Sequence, residues 1–288
     1  MMWYASKCNS RRVMLLEPQP MADRNGQTFE EFRPLLEQLS NLLLRCVVPI
    51  FRTEDFRRPE SHGTGFLVEG PTGFFLISAA HVFDPLRSGT ELYFNIGAKW
   101  NRKLAGTVRL TRTPAGQGRN ADKFDIGVLK LEGDALPPYP DVDKRPLPIN
   151  MLLRAALPRD GKHYLITGFP ASKGTLHRAR REFTSAPYAN WAGACDSVQY
   201  TRMNRSPEHH ILISFDQKRV FGAGGVLRAF PKPAGMSGSP VWLLYDEIED
   251  NNKAQNAVVG VLIEYHDDRK IMVATDIGVA LDLIMKTS

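Results

Sequence analysis

Ser237 lies in the run Pro233-Ala-Gly-Met-Ser-Gly-Ser-Pro240, between glycines and just ahead of the β-type run Val241-Trp-Leu-Leu-Tyr245. A serine that attacks a carbonyl needs such neighbours. Small residues let the substrate approach, and a flexible backbone can turn amide N–H groups toward the oxygen that becomes negative. By itself the run also reads as a tight turn leading into a strand, because turns collect Gly, Ser and Pro. His81 closes the apolar run Phe74-Phe-Leu-Ile-Ser-Ala-Ala-His81, where small residues leave an imidazole at a strand edge, open to a cleft. Asp125 opens the apolar run of Lys123-Phe-Asp-Ile-Gly-Val-Leu-Lys-Leu131, where a carboxylate is costly unless paired. A lone histidine can equally be a core or loop residue, and an aspartate at a strand start can serve its own backbone. Asp122 and Asp84 compete with Asp125 for the histidine. Asp122 precedes the strand by several residues, and Asp84 stands in the turn before Pro85, close to His81 in sequence.

Taken together, the three residues provide nucleophile, general base and orienting carboxylate, in the chain order His, Asp, Ser. In this order and with these motifs the sequence resembles the trypsin-like (chymotrypsin-fold) serine peptidases, nearest in style to the bacterial, disulfide-free, Deg-type catalytic domains. The resemblance rests on Gly63-Thr-Gly-Phe-Leu-Val68, Ile77-Ser-Ala-Ala-His81, Phe124-Asp-Ile-Gly-Val-Leu129 and Gly235-Met-Ser-Gly-Ser-Pro240. Tyr164-Leu-Ile-Thr-Gly-Phe-Pro170 is similar to an early second-barrel strand, and Val258 to Glu264 to the strand lining the cleft. It covers roughly residues 47 to 285.

The resemblance implies a mostly β fold of two six-stranded antiparallel β-barrels with an N-terminal and a C-terminal helix. It implies catalysis by His81, Asp125 and Ser237, an oxyanion hole built from the N–H groups of Gly235 and Ser237, and a structural role for Ser239. Phe230, Pro231, Ala234, Ile263, Glu264 and Tyr265 are expected to wall the substrate pocket. Pro231 falls near the position that carries the acid of trypsin itself, so trypsin specificity does not carry over. Glu264 is either a site for a basic side chain or a solvent-facing strand residue.

Those residues need elements to hold them. Short runs of Phe, Val, Ile and Tyr broken by Gly and Pro argue for strands, and Glu69-Gly-Pro-Thr-Gly73 for a hairpin. Residues 1–27 read as a flexible tail. Thr28-Phe-Glu-Glu31 reads as a capping box opening a helix over 28–46, whose stripe Phe32, Leu35, Leu36, Leu39, Leu42, Leu43 packs on the barrels or meets a regulatory partner or second copy. The first barrel is expected over 47–135 and a proline-rich linker over 136–160. The second barrel, with a helix from Asp276 to Lys286, is expected over 161–288. Too few residues follow Ser237 for the peptide-binding module of many Deg-type proteases, so none is expected.

The 288 residues carry 43% hydrophobic and 24% charged side chains, as soluble globular proteins do. Cys8, Cys46 and Cys195 form neither a disulfide framework nor a zinc pattern. With an N-terminal apolar run too short for a signal peptide, this points to a reducing, cytoplasmic compartment. The net charge of +6 is spread over loop residues such as Lys99, Arg102, Arg112, Lys173 and Arg181, which read as solvated and not as a nucleic-acid surface. No membrane span and no zinc, calcium or nucleotide motif is present in the sequence. The expected function is therefore a cofactor-free serine endopeptidase acting on protein or peptide substrates, with a protease-fold binding protein or scaffold as the alternative.

Overall fold

The structure, a computed structural model, describes residues 14–16, 43–53, 59–96, 101–132, 144–177, 182–218, 220–222, 226–228, 230–243 and 256–286. The strands up to the middle of the chain are β1 (Met14–Leu16), β2 (Val47–Arg52), β3 (Glu60–Gly70), β4 (Gly73–Ala79), β5 (Leu92–Asn95), β6 (Asn101–Lys103), β7 (Gly106–Leu110), β8 (Ile126–Leu131) and β9 (Leu147–Pro148). Then come β10 (His163–Gly168), β11 (Gly174–His177), β12 (Glu182–Ser185), β13 (Tyr188–Gly193), β14 (His210–Ser214), β15 (Val220–Gly222), β16 (Val226–Arg228), β17 (Pro240–Leu243), β18 (Ala257–His266) and β19 (Ile271–Asp276). Three α-helices are described: α1 (Ala80–Arg87), α2 (Ser197–Arg202) and α3 (Ile277–Met285).

Two curled sheets contain most of these strands, as expected of a mostly β fold. The first runs β6-β5-β2-β3-β4-β8-β7, with β9 added in parallel beside β3. Without the short β6 and β9, six antiparallel strands remain. The second runs β1-β13-β10-β17-β18-β19-β14, and without β1 it too is six antiparallel strands. β3 and β4 are joined through Pro71 and Thr72, and Gly73 takes a φ of +127°, a conformation open to glycine. Phe66, Leu67, Val68, Phe75, Leu76 and Ile77 are fully buried, so this hairpin is covered on both faces. Each contributes about 1.5–3 kcal/mol of burial energy. They share one apolar core with Leu165, Trp242, Val258 and Val261 of the second sheet, so the two lobes are packed and not merely tethered.

Two expectations for the N-terminal region meet the structure differently. Residues 14–16 lie inside the stretch read as a flexible tail, yet they form β1, paired in parallel with β13 from Tyr188 to Asn190. The pairing satisfies an edge that β13 would otherwise leave open. The helix expected over 28–46 falls mostly outside the described residues, and only its last part is seen, Leu43 as helix and Leu44 to Cys46 as a turn entering β2. At the other end α3 forms where the helix was expected, capped by Asp276, whose Oδ1 accepts the Gly278 N–H at 2.9 Å. The buried Arg159 guanidinium binds the other carboxylate oxygen of Asp276 at 3.2 Å and donates to Pro207 O at 3.0 Å.

Candidate active site

β4 ends at Ala79, and the chain turns at once into α1, which places His81 in the first turn of that helix. The first N–H groups of a helix have no partner within it. Here β8's entry segment supplies them. The Asp125 backbone carbonyl accepts the Ala80 N–H at 2.8 Å, and Asp125 Oδ1 accepts the His81 N–H at 2.9 Å. The other carboxylate oxygen, Oδ2, lies 2.5 Å from His81 Nδ1. One aspartate therefore caps the helix and fixes the imidazole ring. It does so with φ at +47°, a left-handed conformation that Asp tolerates better than most side chains. The Asp125 side chain is 9% exposed and that of His81 38%, so the ring is gripped on its inner edge and open on its outer one.

The two competing carboxylates are committed elsewhere. Asp84 receives Arg119 at 2.8 and 2.9 Å. Asp122 Oδ2 accepts from Arg119 at 2.9 Å and from the Thr111 hydroxyl at 2.5 Å, while its Oδ1 accepts the Phe124 N–H at 3.1 Å.

The segment before β17 folds as two consecutive turns. Met236 N–H donates to Pro233 O at 2.8 Å, and Ser239 N–H donates to Met236 O at 3.0 Å. Gly235 and Gly238 stand at the third position of each turn with φ of +89° and +91°, the type II geometry that calls for glycine. A Cβ at Gly238 would lie 2.0 Å from Thr64 O and 2.1 Å from the Ser78 hydroxyl, so no other residue fits. Ser237 stands at the second position of the second turn and is half-buried, whereas Ser239 is fully buried against Gly168.

Thr64, on β3 of the first sheet, ties this loop down. Its N–H donates to Ser237 O at 2.9 Å, and its hydroxyl donates to Gly235 O at 2.8 Å while accepting the Phe169 N–H at 3.0 Å. Its own carbonyl accepts the Ser78 hydroxyl at 2.6 Å, three residues before His81. The strand leading to His81 and the turn carrying Ser237 are thus held to one another through a single buried residue. Among the described residues no hydrogen bond joins the Ser237 hydroxyl to His81. In acyl-transfer sites that contact often tightens only when substrate is bound.

No protein-family model matches the chain, and no curated protein matches it. Solved structures do. One is neuropsin, a serine protease expressed in the limbic system of mouse brain, with a TM-score of 0.51 at 14% identity, covering 84% of this chain and 94% of that one. The chain has the chymotrypsin fold. At that identity the likeness concerns the fold, and the chemistry has to be argued from the side chains.

In this chymotrypsin fold the residues expected to wall the pocket are found with their own commitments. Phe230 is buried, its ring edge-on to Tyr188 and Phe215, and Phe215 is edge-on to Tyr265. Ile263 is buried, while Pro231 is half-buried and Ala234 is exposed. Glu264 is half-buried and already engaged by cationic and ring partners of this chain. It binds Arg205 at 2.5 Å and the His266 ring at 2.8 Å. Burial alone would push this carboxyl up, but His266 and Arg205 outweigh it and hold Glu264 below the usual carboxylate range. Arg205 also lines a pocket of about 570 Å³ with Arg112, Lys123, Phe124, Tyr200 and His209, directly beside the segment that presents Asp125. Among the described residues no group of three His, Cys, Asp or Glu side chains could hold a metal ion.

Several site residues escape a reading by motif. Thr64 has a visible signal, a hydroxyl between two glycines just ahead of the apolar run Phe66-Leu-Val68, because a fully buried hydroxyl must find partners. His62 shares β3 with it. Burial, then the charges of Arg52 and His81, hold its ring below the usual histidine range. Ala171 offers only a backbone N–H, and nothing in its side chain marks it.

Proposed function

We propose that the chain is a serine endopeptidase in which His81, Asp125 and Ser237 act as a triad. The observation that carries this reading is the grip of one carboxylate on His81 at both the ring Nδ1 and the backbone N–H, on a histidine whose outer edge stays open.

Ser237 Oγ attacks the carbonyl carbon of the scissile peptide bond, and its proton passes to His81 Nε2. The carbonyl electron pair moves onto oxygen, where the N–H groups of Gly235 and Ser237 receive the charge. Collapse breaks the C–N bond. The leaving amine takes the proton from His81, and the acyl group remains as an ester on Ser237. Water, giving its proton to His81, attacks that ester and regenerates the serine. Asp125 accepts a hydrogen bond from Nδ1–H throughout, which keeps Nε2 free as base and steadies the imidazolium.

With Glu264 engaged by Arg205 and His266, the aromatic group of Phe215, Phe230 and Tyr265 favours an uncharged side chain before the scissile bond. Cys46 and Cys195 are buried free thiols, which fits a reducing compartment such as the cytoplasm.

A fluorophosphonate probe tests the assignment. Wild type is expected to be labelled, and Ser237→Ala and His81→Ala are expected to lose labelling. Labelling that survives in Ser237→Ala sinks the nucleophile, and a wild type that neither labels nor cleaves casein supports a binding or scaffold role instead.

A further inference from the structure

An oxyanion hole made of backbone N–H groups works only if two peptide planes face the right way. A trans peptide is planar with its C=O and N–H opposed, so whatever holds the carbonyl also aims the N–H. The Gly235 N–H belongs to the plane whose carbonyl is Ala234 O, and the Ser237 N–H to the plane whose carbonyl is Met236 O. Both carbonyls are held. Met236 O accepts from Ser239, within the same loop. Ala234 O accepts from Ala171 at 2.7 Å, and Ala171 lies in a different segment, at the start of the single 3₁₀ turn Ala171–Lys173 after β10. Among the described residues the N–H groups of Gly235 and Ser237 themselves have no acceptor.

The two planes therefore differ in what orients them. The Ser237 plane is fixed by its own turn. The Gly235 plane sits between an exposed alanine and a glycine, where rotation is easy, and its one carbonyl contact comes from outside the loop. The next carbonyl along, Gly235 O, is already held by the Thr64 hydroxyl at 2.8 Å. That leaves the Ala234–Gly235 peptide as the free joint. The approach is tight on this side, since a Cβ on Gly235 would lie 2.7 Å from the Ala171 nitrogen.

We propose that the Ala171 N–H is a positioning group of the oxyanion hole: by holding Ala234 O it turns the Gly235 N–H away from the 3₁₀ turn and toward the place where the substrate oxygen develops charge. This rests on the peptidase reading above and adds a residue outside the triad that decides whether the hole exists.

Ala171→Pro removes the N–H and sets a ring carbon where the proton was. The backbone accepts it. Pro170 has φ −59° and ψ 134°, which suits a residue before proline, and the first position of a 3₁₀ turn suits proline's own φ. Ala171→Gly keeps the N–H and serves as the conservative variant. With a fluorogenic peptide substrate, Ala171→Pro is expected to lower kcat by about 10²–10³-fold, as losing one oxyanion donor does, with KM changed by less than about threefold. The pH profile of kcat/KM is expected to keep its shape. Ala171→Gly is expected to restore kcat to within about threefold of wild type.

A second measurement needs no variant. Amide hydrogen exchange on the wild type is expected to be slow at Ala171 and fast at Gly235. Retention of kcat in Ala171→Pro, an equal loss in Ala171→Gly, a change confined to KM, or protection of Gly235 in place of Ala171 overturns the proposal while leaving the triad standing. A wild type that does not react at Ser237 overturns the peptidase reading, and this proposal with it.

Discussion

Asp125 does two jobs that are normally separate, capping a helix and gripping the ring of the proposed catalytic base, and the two can be pulled apart by substitution. Asn keeps an oxygen for the His81 N–H but presents an amide to Nδ1, which selects the wrong ring tautomer. Asp125→Asn is expected to remain folded and to lose about 10⁴-fold in kcat, measured on a peptide ester alongside a thermal melt. Thr64 shows the opposite balance. Thr64→Val keeps the shape but strands the Phe169 N–H and the Gly235 carbonyl, at about 1–3 kcal/mol each. Urea unfolding should register that loss, and Thr64→Ser should recover most of it. The cysteines carry a further expectation. Burial pushes Cys46 and Cys195 up to about 12, so neither supplies thiolate near neutral pH. In a Cys8→Ser background the native protein should show no fast reaction with a disulfide reagent, and full reaction only on unfolding.

Among the elements, those closed by neighbours in sequence could be read from it, and those closed by distant partners could not. The β3–β4 hairpin follows from two continuous apolar runs around Pro71-Thr72-Gly73, and α3 from its capping aspartate and apolar stripe. His81 and Asp125 are visible for the same reason, each standing where a strand ends or begins. β1 is different. Three residues in a polar stretch become a strand only because β13 offers an edge, and that edge is made some 170 residues later. Glu264 is another such case, since its partner Arg205 belongs to the segment after α2 and not to β18. That pairing has a pH signature. The carboxyl is held below its unfolded value, so it contributes stability that is complete above about pH 4.5 and is lost as pH falls through the lower folded value. Unfolding free energies of wild type and Glu264→Gln should therefore differ at pH 6 and converge toward pH 3.

At the scale of the whole molecule the site is a seam. His81 and Asp125 come from the first sheet, Ser237 from the second, and the apolar core runs between them. Trp242 is buried in that core, with its Nε1–H donating to Thr167 at 3.1 Å, so its fluorescence follows the second lobe. The fold was legible as two β lobes because composition and strand spacing are distributed over the whole chain. How the lobes lock was not, because the lock is a few hydrogen bonds at Thr64. That lock has a consequence in time. The Thr64 hydroxyl binds a carbonyl 171 residues further along, so the ribosome must deliver all of that intervening chain before the bond can form. On the proposed reading, a nascent chain that has completed its first lobe holds the base and the carboxylate but not the nucleophile, and cannot cleave the proteins around it. In refolding from urea, hydrolytic activity should accordingly return more slowly than Trp242 fluorescence. Equal rates would mean that the lobes dock as they form.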